Sequence, residues 1–121
     1  MPETTTAQYP TTSAEVAAAV LDAIEANPHA LDMGTWFWPR GANKTLPPEQ
    51  APACGTTMCI AGWAAHVTGW TLVPDGMSGR KDGVTRGIED IALDALGLTF
   101  TNLFYDAADE AIEGLRQIAG R

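Results

Sequence analysis

The residues best suited to chemistry are concentrated between positions 54 and 66, where two cysteines and a histidine stand among small residues. A thiol near the start of a helix can act as a nucleophile, and cysteine together with histidine can bind zinc. The same residues also suit a tightly packed helix, because glycine, alanine and cysteine occupy little volume. This segment therefore allows three interpretations: catalysis, metal binding and packing.

Cysteine catalysis requires a base within hydrogen-bonding reach of the sulfur. His66 follows Cys59 on the same predicted helix, where seven residues correspond to about two turns, or about 10 Å. The other histidine, His29, lies in a distant segment, and no pattern demands that it approach a thiol. We therefore predict no catalytic residue and keep a thiol-dependent enzyme centred on Cys54, Cys59 and His66 as the alternative.

A metal site could draw on the following ligands: Cys54, Cys59, His66 and either His29 or Asp32. Structural zinc sites carry ligand pairs at short, regular spacings. Here a Cys-x4-Cys pair is followed by a histidine two helical turns further on, which is not that pattern. We therefore predict neither a metal nor a cofactor, and metal binding by these residues stays the second form of the alternative.

Packing explains more of the segment. Two adjacent stripes of apolar and small side chains recur at helical spacing from position 59 to position 70, so both faces of this helix are expected to be buried. On this interpretation four residues have structural roles: Cys59, Gly62, Trp63 and His66.

Gly62 indicates a close neighbour, because glycine within a helix costs about 1 kcal/mol relative to alanine. Trp36 or Trp38 is the expected neighbour, which would place a central helix between tryptophan rings. His66 is expected at the edge of the core, bonded through one ring nitrogen.

Helical patterns also dominate the rest of the chain. Thr12 and Glu15 have the spacing of a capping box, and Gly97 is placed to end a helix. Four helices are predicted: from Thr12 to about Ala26, from Thr56 or Thr57 to just before Gly69, from about Gly87 to Leu96, and a last one that begins after Asp106. We predict a mainly α fold, a single small domain of about four helices around a central helix clasped by tryptophans.

Shorter segments complete this organisation. Residues 1–11 are predicted to form a flexible arm, 12–121 a single helical domain, and 39–53 a long proline-rich loop. Residues 70–86 allow one short β-hairpin, although their pattern is weak. Trp36, Phe37 and Trp38 are consecutive, so at least one of them is expected at the surface.

The net charge of −8 is concentrated late in the chain, since positions 87–113 hold seven acidic residues and no lysine or arginine. Phosphate backbones would be repelled there, which argues against direct nucleic-acid binding. Solvated helix faces explain much of this pattern. We nevertheless predict an interaction surface formed by acidic and aromatic residues: Glu89, Asp90, Asp94, Asp109, Glu110, Glu113, Trp36 and Trp38.

The chain also lacks the patterns of membrane and secreted proteins. No apolar run approaches the roughly 20 residues that a membrane helix requires. The N-terminus is acidic and polar, unlike a secretory signal. We therefore expect a cytoplasmic protein without a membrane partner. Its two cysteines are expected to be thiols, with a disulfide on oxidation as the alternative.

Three motifs stand out: Leu31–Trp36, Cys54–Ala64, and Leu96–Thr99 followed by Leu103–Tyr105. In combination they resemble the motifs of a family of small uncharacterised proteins found in actinobacteria, their phages and some other bacteria. The resemblance covers roughly residues 14–115 and carries no catalytic residues with it. The chain departs from the family at Asp106–Ala108, where a Trp-Pro pair is expected. The resemblance implies a phage or actinobacterial accessory protein.

Together these observations predict a non-enzymatic protein that binds a bacterial host protein or associates with itself. A special case is an acidic mimic of nucleic acid that blocks a basic site, since spaced carboxylates can imitate phosphate charge. The small metal-binding or thiol-dependent enzyme remains the alternative.

Overall fold

A computed structural model describes residues 9–39, 45–52 and 55–121. In that part of the chain four α-helices and two short 3₁₀ helices accompany a three-stranded antiparallel sheet. The helices are α1 (Ser13–Ala26), α2 (Ile60–Val67), α3 (Ile88–Leu96) and α4 (Ala108–Ala119). The strands are β1 (Thr71–Leu72), β2 (Ser78–Lys81) and β3 (Val84–Gly87). The small domain is therefore mixed α and β.

Helix α1 begins at the predicted capping box. The Thr12 hydroxyl accepts a hydrogen bond from the Glu15 amide at 3.1 Å, and the Glu15 carboxylate accepts one from the Thr12 amide at 3.2 Å. These reciprocal bonds satisfy amides that the first helical turn leaves unpaired. One face of α1 is buried against the core: Val16, Ala17, Val20, Leu21 and Ile24.

Helix α2 lies at the centre, and every residue from Ile60 to His66 is buried. Its predicted start at Thr56 or Thr57 is wrong, because residues 57–59 are extended and pair with two earlier segments. The Met58 amide donates to the Ala30 carbonyl at 2.8 Å, and the Cys59 amide donates to the Thr35 carbonyl at 2.9 Å. Cys59 is therefore the N-cap residue of α2.

The tight contact at Gly62 involves backbone rather than a tryptophan ring. A Cβ atom added at Gly62 would overlap the Trp36 carbonyl oxygen and would lie 2.8 Å from the Met58 Cβ. The Trp38 side chain is 66% exposed, so it does not hold the helix as expected. The glycine permits the segment before Phe37 to approach the helix backbone directly.

The predicted single hairpin is a sheet in order β1-β2-β3. The missed strand is β2, whose polar sequence with a central glycine has little strand character. Gly79 pairs with Leu72 on one side and Arg86 on the other. A Cβ atom at Gly79 would lie 2.9 Å from the Ile91 Cδ1, so the glycine lets β2 lie close to α3.

The two later helices form as predicted. Gly97 ends α3 in the left-handed conformation at φ 66°, which suits glycine. Helix α3 packs mainly against α2, and α4 packs mainly against α1. Phe104, in the 3₁₀ helix Asn102–Tyr105, belongs to the hydrophobic core and is 1% exposed.

The predicted arm and loop are described only in part, since residues 1–8, 40–44 and 53 lie outside the described residues. Tyr9 contacts the protein, with the Lys81 ammonium 5.8 Å from its ring centroid. Within the predicted loop, buried Leu46 exchanges two backbone hydrogen bonds with Leu72, each 2.9 Å long. The later part of the loop is therefore tied to β1.

Gly62→Ala should reduce the free energy of unfolding by about 1–3 kcal/mol, since the overlap with the Trp36 carbonyl outweighs the gain in helix propensity. Urea denaturation followed by circular dichroism would measure this loss. Gly114→Ala is the matched control, because its added Cβ meets only the flexible end of Leu103. An equal or larger loss in the control would contradict the explanation.

Candidate interaction surface

The three consecutive aromatic residues divide between core and surface. Phe37 is 1% exposed, whereas Trp38 is largely exposed and Trp36 is half-buried. Trp38 is fixed through its backbone, which exchanges hydrogen bonds with Thr57 at 2.7 and 3.0 Å. The expectation that one of the three lies at the surface is therefore met by Trp38.

Trp36 joins a second aromatic segment. Its ring makes edge-on contacts with Phe104, at 6.1 Å between centroids, and with Tyr105, at 5.8 Å. Tyr105 is 68% exposed, and its hydroxyl donates to the Glu89 carboxylate at 3.3 Å. We call Trp36, Tyr105 and Glu89 the aromatic-acidic surface, which joins the start of α3 to the turn before α4.

A shallow cavity of about 220 Å³ adjoins this surface. It is lined by residues 33–36, Cys59, Phe104 and Tyr105. The Cys59 side chain is 2% exposed. Burial raises the pKa of its thiol, and the backbone amides of Gly62 and Ala61 at the start of α2 oppose that rise. The Cys59 thiol therefore stays protonated in the wall of this cavity and is poorly suited to act as a nucleophile.

The acidic residues of α3 differ in their surroundings. Glu89 and Asp90 lie in the first turn, where carboxylates favourably meet the positive end of the helix dipole. Asp94 forms an exposed ion pair with Arg86, with 2.8 Å between Oδ2 and Nη2. Its charge is therefore partly neutralised, whereas Asp90 forms no ion pair with the residues that the structure describes.

The remaining candidate acids lie on α4. Asp109 and Glu110 occupy its first turn, and Glu113 follows one turn later. All three are exposed. The acidic run is therefore distributed over α3 and α4 rather than along a single helix face.

His66 is buried at the edge of the core, next to the described part of the predicted proline-rich loop. Its Nε2 lies 2.8 Å from the Gln50 carbonyl oxygen. A carbonyl can only accept, so Nε2 carries a proton. Because burial lowers the pKa of His66, the imidazole is neutral at neutral pH. The ring also meets Trp63 edge-on, with centroids 5.7 Å apart.

The candidate metal ligands that the structure describes do not converge on one point. Within residues 9–39, 45–52 and 55–121, no three histidine, cysteine, aspartate or glutamate side chains are arranged to hold a metal ion. His29 is exposed at the surface, and Cys54 lies outside the described residues.

No helix within residues 9–39, 45–52 and 55–121 is both long enough and apolar enough to cross a membrane.

Comparison with protein-family models, with curated proteins and with solved structures finds no match for this chain. The resemblance to actinobacterial and phage proteins thus stays a prediction. The fold and the geometry of its surfaces are the observations on which a function can be argued.

Two contributing residues were not predicted as functional. Tyr105 belongs to the third of the motifs described above. Its aromatic side chain, close in sequence to the acidic start of a predicted helix, was the signal that could have identified it. Gln50 contributes through its backbone carbonyl, which the sequence does not reveal.

The buried imidazole should make stability depend on pH. Burial lowers the pKa of His66 below its ordinary value near 6.5, although the Gln50 and Pro47 carbonyls and the Glu49 charge oppose this. As pH falls below 6.5 the unfolded chain therefore binds a proton that the folded protein does not. The free energy of unfolding should fall by up to about 1.4 kcal/mol per pH unit until the folded pKa is reached.

Urea denaturation of wild type and His66→Gln between about pH 5 and pH 8, the range in which histidine usually titrates, would measure this dependence. The variant should show a smaller loss on acidification, and His29→Gln is the control for removing an exposed imidazole. Identical slopes in wild type and His66→Gln would refute the proposed titration.

The Cys59 thiol should react slowly, because it is buried and its raised pKa leaves little thiolate. In a Cys54→Ser variant, alkylation by iodoacetamide at neutral pH should be much slower in native protein than in urea, because native Cys59 is both buried and less ionised. Equal native and denatured rates would mean that Cys59 is accessible.

Proposed function

We propose that this protein is a non-enzymatic interaction protein, which binds a basic segment of a bacterial host protein through its aromatic-acidic surface. The observation that carries the proposal is the exposed Tyr105 ring, held against Trp36 and bonded to the Glu89 carboxylate. An exposed aromatic residue with a fixed orientation is a typical anchor of protein interfaces.

The chemistry of this surface favours a cationic partner. Aromatic faces attract lysine and arginine side chains, contributing about 0.5–2 kcal/mol according to how far the contact is desolvated. Glu89 supplies a carboxylate beside the ring, and a carboxylate has further lone pairs to accept bonds from a guanidinium. Partial desolvation and the Glu89 charge raise the pKa of Tyr105, so its hydroxyl remains a neutral donor to Glu89.

The wider charge distribution supports the same partner. The net charge of −8 would speed association with a basic protein and would make that association sensitive to salt. Asp90, Asp109 and Glu110 add acidic positions at the starts of two helices. Mimicry of nucleic acid is a less favoured form of the proposal, because Arg86 partly neutralises Asp94 within the array.

The resemblance of the motifs to small phage and actinobacterial proteins suggests where to look for the partner. A cytoplasmic accessory protein of this kind would act on a component of its bacterial cell. Self-association is the competing use of the same surface, and its signature would be an oligomer that dissociates when Tyr105 is changed.

Tyr105→Ala should weaken capture of the partner from actinobacterial lysate by about tenfold or more, as expected for an aromatic anchor. Trp38→Ala should weaken it less, because Trp38 is exposed but lies outside the surface defined by Trp36, Tyr105 and Glu89. Quantitative mass spectrometry of the captured proteins, in low and in high salt, would measure both effects.

Met77→Ala is the matched control, since Met77 is 62% exposed on the loop before β2. Support requires a basic protein that is captured by wild type and Met77→Ala, lost with Tyr105→Ala and released by salt. Capture that is indifferent to salt and to Tyr105→Ala would rule the proposal out. Light scattering of the purified protein would separately reveal self-association.

A further inference from the structure

A groove of about 440 Å³ is bordered by β2, β3 and α3, and its lining residues differ from those of the aromatic-acidic surface. Four of the side chains that line it are partly exposed: Tyr9, Trp70, Lys81 and Arg86. Two of these side chains are aromatic and two are cationic. The groove therefore combines flat apolar surfaces with positive charge, in a chain whose net charge is −8.

The register of the sheet brings the two cations to one face. Gly79 of β2 pairs with Arg86 of β3. Two residues further along β2, Lys81 pairs with Val84. Residues that pair directly, or that lie two apart on one strand, project from the same face of a sheet. Lys81 and Arg86 are therefore diagonal neighbours, a relation that places residues about 7–8 Å apart.

The Lys81 ammonium is held in place but keeps hydrogen-bonding capacity. Its Nζ donates to the Thr68 carbonyl at 3.0 Å and lies 5.8 and 5.9 Å from the ring centroids of Tyr9 and Trp70. An ammonium has three N–H donors, and neither of the ion pairs found among the described residues involves Lys81. Two donors therefore remain for a group that enters the groove.

Arg86 adds further donors. Its Nη2 lies 2.8 Å from Oδ2 of Asp94, and 37% of the Arg86 side chain stays exposed. A guanidinium has five N–H donors, so this one contact leaves others to bind a ligand. The charged residues lining the groove are thus two cations and the Asp94 carboxylate. One carboxylate from a ligand would balance the remaining positive charge.

We propose that this groove binds a small aromatic carboxylate. The carboxylate accepts hydrogen bonds from Lys81 and Arg86, and such bonds between charged groups are roughly twice as strong as those between neutral groups. The aromatic body of the ligand lies against the Tyr9 and Trp70 rings, where apolar contact is favourable. A cation would be repelled by both basic side chains, and an uncharged ligand would forgo the charged hydrogen bonds.

Nuclear magnetic resonance of ¹⁵N-labelled protein tests this with benzoate as the probe. Benzamide keeps the shape of benzoate without its charge, and acetate keeps the charge without the ring. Benzoate should shift the Trp70 indole signal and the Lys81 amide signal in a saturable way, with a Kd on the order of millimolar for so small a ligand. Benzamide and acetate should each bind at least about fivefold more weakly, since each lacks one of the two kinds of contact.

Lys81→Met removes the ammonium and keeps an apolar side chain of similar length, so the affinity for benzoate should fall by about fivefold or more. Arg80→Met is the matched control, because Arg80 is an exposed cation on the opposite face of the same strand. An equal loss in the two variants would mean that benzoate responds only to net charge. That result, or an unchanged affinity in Lys81→Met, would overturn the proposal.

Asp94→Asn tests the same site by a gain of binding. Because it releases Arg86 from its exposed ion pair, benzoate should bind about two- to fivefold more tightly, the range that such a pair is worth. Asp109→Asn removes an equal charge from α4 and should have a smaller effect. Both aspartates are exposed, so this comparison decides the matter even if Lys81→Met fails to fold. Equal gains in the two variants, or equal binding of benzoate and benzamide by wild type, would refute the proposal.

Discussion

The structure depends on the burial of a short helix whose N-cap makes no side-chain hydrogen bond. An isolated helix of eight residues is unstable in water, and the described contacts of α2 show how the fold compensates. Residues 57–59 are held in an extended conformation by the Ala30, Thr35 and Trp38 carbonyls, and Gly62 admits the Trp36 backbone against the helix. Removing that space would force apart the segments that fix both the start of α2 and the orientation of the neighbouring aromatic residues.

The aromatic residues and the acids are linked through this arrangement. The backbone that contacts Gly62 belongs to Trp36, and the ring of Trp36 orders Phe104 and Tyr105. Tyr105 then reaches Glu89 at the start of α3. The acids at the starts of α3 and α4 also stabilise those helices, so their presence alone does not indicate a partner. It is the exposed ring held beside one of them that distinguishes this surface from an ordinary solvated helix face.

Local signals in the sequence predicted the elements that they control. The Thr12 and Glu15 capping box, the stop at Gly97 and the amphipathic patterns of α3 and α4 each act within a few residues, and each is found in the structure. Strand β2 and the start of α2 were missed, because both depend on pairing with residues distant in the chain. The same limit applies to function: the individual acids could be named from sequence, whereas the Trp36–Tyr105–Glu89 contacts and the Gln50–His66 bond arise only on folding.

Helix α2 also contributes to two separate cavities. Cys59, at its beginning, lines the cavity beside Tyr105, while Trp63 and His66 line a second cavity beside residues 48–52. Eight helical residues span only about 12 Å, and a Cβ atom at Gly62, between the residues that line the two cavities, would overlap the Trp36 carbonyl oxygen. A substitution that displaces α2 would therefore alter both cavities together.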